Sequence, residues 1–147
     1  MAKQQRLWEL TLEARQSSLG QAADFIEDVC ELQDLDDDVA FAVRLATEEA
    51  CQNAVEHACS FDPNKQFTLQ CERVGADLVI TVSDRGDPFD PTQSAAPKLD
   101  VPLAERNGGG LGIHFMRNMM DEVLYRRDAD GVNHVTMIKR GVLANED

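Results

Sequence analysis

The chain has 147 residues, of which 27 are acidic and 14 basic, for a formal charge of −13, and 43% are apolar. That is one ordinary domain with material for a real core, which excludes a disordered chain. The acidic balance argues against nucleic acid or an anionic membrane surface as partner, and no apolar run approaches the ~20 residues of a membrane span.

The opening residues, MAKQQRLWEL, hold no apolar stretch long enough for a secretory signal, so a soluble, cytoplasmic protein is expected. In RLWELTLEA (6–14), Trp8, Leu10 and Leu12 alternate with polar residues and predict a strand. Ser17 and Ser18 offer a cap for a helix through AADFIEDVCEL. The acids of LDDD suit the start of a second helix running to about Cys59. FDPN (61–64) is a turn. KQFTLQCERV (65–74) and ADLVITVSD (76–84) are predicted strands, with Gly75 at the hairpin turn. Residues 86–107 are rich in Pro and without periodicity. A third helix is predicted from near Gly110, with Ile113, Met116, Met120 and Val123 on one face. Two strands follow, at 122–127 and 132–140, joined by DADG. The order β, α, α, β, β, long loop, α, β, β predicts an α+β fold. We expect a two-layer α/β sandwich, with a mixed, mostly antiparallel sheet and helices on one face. A single domain over 1–147 is expected.

None of Cys30, Cys51, Cys59 and Cys71 forms a CxxC pair, and His57, His114 and His134 are scattered. Reduced, buried thiols are therefore expected rather than a zinc site.

Four segments draw the eye chemically. In EEACQNAVEHA (48–58), Glu49, Asn53 and His57 stand four residues apart. On a helix they share a side with Val39, Ala46 and Ala50, a side that otherwise reads as buried. Buried polar groups need partners, from the protein or from a ligand. In DRGDPFDP (84–91), Asp84 ends an apolar strand, Gly86 allows close backbone approach and Pro88 fixes the exit. In NGGGLGIHFMRNMMDEV (107–123), four glycines open a helix, the shape of a phosphate cradle. The aperiodic stretch between these two is long enough for a lid. Taken singly, each has an ordinary structural explanation: a satisfied polar patch, a turn, a hinge, a loop.

Their order is what resembles a family. A helix with Glu and Asn, a strand ending in Asp-x-Gly, a lid and a Gly-rich helix start resemble the Bergerat-type ATP-binding fold. Gyrase, the heat-shock chaperone Hsp90, histidine kinases and MutL share that fold. The pattern is most similar to the small anti-sigma-factor serine/threonine kinases of bacteria, the RsbW and SpoIIAB type. It covers the chain from the first strand to about Arg140.

The resemblance implies ATP and Mg²⁺ as cofactors and the following roles. Glu49 is the catalytic base acting on a partner's hydroxyl, and Asn53 is a nucleotide-site residue and the metal ligand. Asp84 receives the adenine amino group, with Gly86 beside it. Gly108, Gly109, Gly110 and Gly112 wrap the phosphates, the lid spans about 90–108, and Arg106 reaches the terminal phosphate. His57 is a supporting residue. Pro88 stands where the wider superfamily has a second glycine. Many relatives carry Gly-Thr on the last strand, where this chain has Asn133-His134-Val135-Thr136, so Thr136 is left out of the site.

The function so implied is an ATP-dependent anti-sigma factor and serine/threonine protein kinase. It phosphorylates a STAS-type anti-sigma-factor antagonist in a partner-switching system, binds a sigma factor, and forms a homodimer. The sequence itself marks no interface; Trp8 or Phe61, if exposed, are candidates for one. An alternative is a non-catalytic ATP-binding module that regulates a partner. A further one is an excised histidine-kinase catalytic module.

Overall fold

The structure is a computed structural model that describes residues 6–93 and 116–144. Strand β1 (Leu7–Glu13) leads into helices α1 (Ser18–Leu32) and α2 (Asp37–Asn53), and α2 widens into a π-helical turn, Ala54–Ala58. Strands β2 (Gln66–Val74) and β3 (Asp77–Asp84) follow, then a short 3-10 turn, Pro91–Gln93. A helical turn at 116–119 precedes β4 (Glu122–Arg127) and β5 (Asn133–Lys139). The five strands form one sheet in the order β1-β2-β3-β5-β4. The sheet, expected to be mixed and mostly antiparallel, is antiparallel in all four pairings.

Alternation of side chains decides which face is covered. On β2, Phe67, Leu69 and Cys71 are buried, and on β3, Leu78, Ile80 and Val82. Successive residues of a strand point to opposite faces, so these sets share the side that meets the helices. Against them pack Ala22, Ile26, Val29 and Cys30 of α1 and Val43, Ala46, Ala50 and Cys51 of α2. Each large apolar side chain so buried contributes about 1.5–3 kcal/mol. The opposite face is largely polar, with Leu7, Val74 and Leu124 exposed on it. There Thr11 meets Thr68 (3.0 Å), Thr81 meets Thr136 (3.3 Å) and Ser83 meets His134 (2.9 Å).

The turns follow their chemistry. Gly75 (φ 61°) and Gly131 (φ 81°) hold the left-handed conformations that close the two hairpins. In FDPN, the Asp62 carboxylate accepts the Asn64 N–H (2.9 Å). All four cysteines are free and buried. Burial pushes the Cys30 and Cys59 thiols up to about 11 and Cys51 to about 12, and Cys71 also rises.

Two expectations are corrected and one condition is resolved. Ser17 caps α1 with no side-chain bond. The chain enters the helix from a preceding turn, whose Arg15 and Gln16 carbonyls accept the first N–H groups instead (3.0 and 3.1 Å). Val123 is not on the third helix, since the helical turn ends at 119 and Val123 lies in β4. Trp8 is not a surface residue: it is 7% exposed and joins the core, whereas Phe61 is 47% exposed.

Candidate functional site

The strand alternation that builds the core also builds the site. On β3 the buried positions run Leu78, Ile80, Val82 and then Asp84, so a carboxylate occupies the last position of an apolar row. Across the β3–β5 pairing, Asp84 stands opposite Asn133. Asn133, Val135 and Met137 form the matching row on β5, while Thr136 lies on the polar face against Thr81.

Helix α2 supplies the other wall. Asn53 is its last residue before the π turn, where Cys59 N–H reaches back five residues to the Ala54 carbonyl (2.9 Å). Such wide turns inside helices occur often at functional sites. Here the widening turns His57 relative to Asn53, so the row of three drawn from regular helical spacing does not continue straight. His57 stacks on Phe89, with ring centroids 4.5 Å apart and planes 9° apart.

The cleft between these walls is lined by Ala50, Asn53, Ala54 and Ala58 of the helix, Val82, Asp84, Asn133 and Val135 of the sheet, and Phe89, Pro91 and Met116. Its cavity volume, the space open to the centre of a water molecule, is about 10 Å³. Asn53 is 5% exposed, and neither atom of its amide has a hydrogen-bond partner among the described residues. A buried amide left so costs about 1–3 kcal/mol, which a ligand at that spot would relieve.

Asp84 is differently provided. Its Oδ1 accepts the Gly86 N–H (2.8 Å) and an Asn133 Nδ2–H (2.9 Å). Burial raises its carboxyl above the ordinary range, and the Asn133 bond, the Gly86 N–H and the charges of Arg127 and Lys65 oppose that rise. Gly86 has a packing reason to be glycine. A Cβ there would collide with the backbone carbonyl of Ala58, whose oxygen accepts the Asp87 N–H (2.8 Å). Glu49 is half-buried one turn before Asn53 and does not line the cleft. Its carboxyl is raised, first by burial and then by the charge of Glu56.

The structure thus brings Asn53 and Asp84 to one cleft, with Gly86 bonded to Asp84 and Glu49 one helical turn before Asn53. Arg106, Gly108, Gly109, Gly110 and Gly112, and most of the lid at 90–108, lie outside the described residues. Sequence reasoning missed Asn133, Tyr125, Arg127 and Phe89. Only Phe89 had a local signal, its place in the PFDP turn beside Asp84. Among the described residues no group of His, Cys, Asp or Glu could hold a metal ion by itself. The oxygen of Asn53 is a hard donor of the kind Mg²⁺ takes when phosphate oxygens and water supply the rest, and its unpartnered state fits that use.

A model of the histidine kinase-like ATPase domain matches residues 12–139. The serine/threonine-protein kinase BtrW of Bordetella bronchiseptica is 32% identical over 97 residues, covering 66% of this chain and 68% of BtrW. The serine-protein kinase RsbW of Bacillus subtilis is 32% identical over 118 residues, covering 78% of this chain and 65% of RsbW. The chain therefore spans about two thirds of the length of these relatives. The solved structure of the RsbU and RsbW domains of Rv1364c from Mycobacterium tuberculosis superposes with a TM-score of 0.59 at 16% identity. That likeness covers 92% of this chain and 32% of the other, and speaks for the fold alone.

The chain belongs to the histidine kinase-like ATPase domain family. Within it, the chain is of the RsbW-like kind, the serine/threonine-protein kinases.

Proposed function

We propose that the protein transfers the terminal phosphoryl group of ATP to a serine or threonine of a partner protein. The partner we favour is a STAS-type antagonist of an anti-sigma factor, in a partner-switching system that also includes a sigma factor. The observation that carries the nucleotide site is the buried, unpartnered Asn53 amide sharing a cleft with Asp84.

In this reading the free oxygen of Asp84 accepts the adenine amino group, and the apolar walls from Val82, Val135 and Met116 sandwich the base. Asn53 would hold Mg²⁺ through its carboxamide oxygen. When bound, the ion neutralises charge on the phosphates and fixes their geometry, which is most of what phosphoryl transfer requires. Glu49 takes the proton from the partner's hydroxyl as that oxygen forms its bond to the terminal phosphorus. The bond from that phosphorus to the bridging oxygen breaks, and ADP leaves with the electron pair. Burial raises the Glu49 carboxyl above its ordinary range, the direction that makes a carboxylate a stronger proton acceptor. The glycines at 108–112 and Arg106 would complete the phosphate side.

The test has two parts. Calorimetric titration with ATP and GTP, with and without Mg²⁺, should show ATP-selective binding. Selectivity should fall in Asp84→Asn, and the Mg²⁺ dependence should vanish in Asn53→Ala. Incubation with Mg-ATP and a STAS-type antagonist should then yield phosphoserine or phosphothreonine on the antagonist. A folded protein that binds neither nucleotide would overturn the site, and ATP binding without any phosphoprotein would leave a nucleotide-dependent binding module.

A further inference from the structure

Behind Asp84 stands a chain of hydrogen bonds that no resemblance pointed to. Asn133 is 2% exposed and uses its whole amide. Its Nδ2 donates to Asp84 Oδ1 (2.9 Å), to the Asp87 carbonyl (2.9 Å) and, more weakly, to the Gly86 carbonyl (3.3 Å). Its Oδ1 accepts the Tyr125 hydroxyl (2.6 Å) and Arg127 Nη1–H (2.9 Å). Arg127 also donates to the Gly86 carbonyl (3.0 Å). The amide orientation is dictated from both ends. A guanidinium only donates, so the atom it meets is the oxygen; a carboxylate only accepts, so the atom facing Asp84 is the nitrogen.

The consequence falls on Asp84. Its Oδ1 is taken twice, by Gly86 N–H and by Asn133, which fixes the plane of the carboxylate. Among the described residues no donor meets Oδ2, and Asp84 lines the cleft. Thus one oxygen is tethered to the protein and the other is left to accept.

We propose that Asn133 is a positioning residue for base selection: anchored by Tyr125 and Arg127, it commits one oxygen of Asp84 inward so that the other meets the 6-amino group of a purine. This rests on the nucleotide reading above and adds a specificity device made by β4 and β5, contributed from 49 residues beyond Asp84. Tethering before binding matters because a side chain already held in its bound geometry loses no rotamer freedom when the ligand arrives.

The probes are ATP and purine riboside triphosphate, the same molecule without the 6-amino group. The wild-type protein should prefer ATP by about tenfold or more, the worth of one well-placed hydrogen bond to a charged group. Asn133→Leu is near in volume and cannot donate. It should lose most of that preference through weaker ATP binding, with the affinity for the deaminated analogue unchanged within about twofold. Tyr125→Phe removes one anchor and keeps the ring, so it should fold even if Asn133→Leu does not. It should lower the preference about two- to threefold in the same direction. An undiminished preference in either folded variant would overturn the proposal. So would an equal loss of both nucleotides, which would make Asn133 a support of the fold only. Failure of the wild-type protein to bind ATP would instead bring down the nucleotide reading itself.

Discussion

Gly86→Ala adds one methyl group at the tightest point between sheet and helix. The new Cβ would fall on the Ala58 carbonyl, well inside the 3.0 Å that real Cβ atoms keep, and 2.9 Å from the Cys59 nitrogen. All of these are backbone atoms, so no side chain can swing aside. The end of β3 and the π turn must part instead. Parting breaks the Asp87 N–H bond to the Ala58 carbonyl (2.8 Å), a loss of about 0.5–1.5 kcal/mol. Overpacking of a dense interior adds about 1–3 kcal/mol. The expected total is about 1.5–4.5 kcal/mol, which at a urea slope of about 2 kcal/mol per molar lowers the midpoint by about 0.7–2.2 M. Urea unfolding followed by circular dichroism measures this directly. Nucleotide affinity should fall as well, because the Gly86 N–H that moves is the one held by Asp84 (2.8 Å). A midpoint shift below about 0.5 M with ATP affinity intact would refute the argument, since a contact that close could not then be rigid.

Further outcomes are expected. Glu49→Gln should abolish phosphotransfer, by about 10²–10⁴-fold, while ATP binding persists. It should also stabilise the protein at neutral pH. The Glu49 carboxyl is raised by burial, so its favourable contribution exists below its unfolded pKa and is lost as pH rises through the folded one; Gln removes the charge that burial opposes. Thermal melts at pH 7 check this, and a lower melting temperature would contradict it. Asn53→Leu replaces an unpartnered amide with an apolar group of similar size, so the nucleotide-free protein should unfold at equal or higher denaturant although Mg²⁺-dependent binding is gone. The Asp128 carboxyl is held down to about 2, first by its bond with His134 and then by the Val132 N–H. Its contribution is therefore present above the unfolded carboxylate range and fades as pH falls toward 2. Acid titrations of wild type and Asp128→Asn should converge there, having differed at neutral pH. The four thiols, raised by burial, should react slowly with a maleimide in the native state and fully in denaturant, as read by mass spectrometry.

What local pattern determines is open to reading. Period-two alternation announces the strands, and the row Leu78, Ile80, Val82, continued by two residues, puts Asp84 on the same side as the apolar set by alternation alone. Glycines at the two hairpins mark turns that need positive φ. The Glu49 and Asn53 pair is legible as polar residues on a buried helical side. Such features depend on residues a few positions apart, and the chain states them directly.

The rest was decided by tertiary structure, because it depends on register and on neighbours distant in sequence. Asn133 serves Asp84 only because β5 pairs with β3 in the register that sets them opposite. One step of slip would have presented His134 there and turned Asn133 to the polar face. The same register sends Thr136 away from the cleft toward Thr81. Trp8 joins the core rather than the surface, since a strand's alternation says which residues share a face but not which face is covered. The π turn after Asn53, which carries His57 to Phe89, is equally invisible in a sequence whose spacing is that of an ordinary helix. Burial of the whole sheet against two helices selects one register among several that the alternation alone would permit, and the pairing of Asp84 with Asn133 follows from that selection.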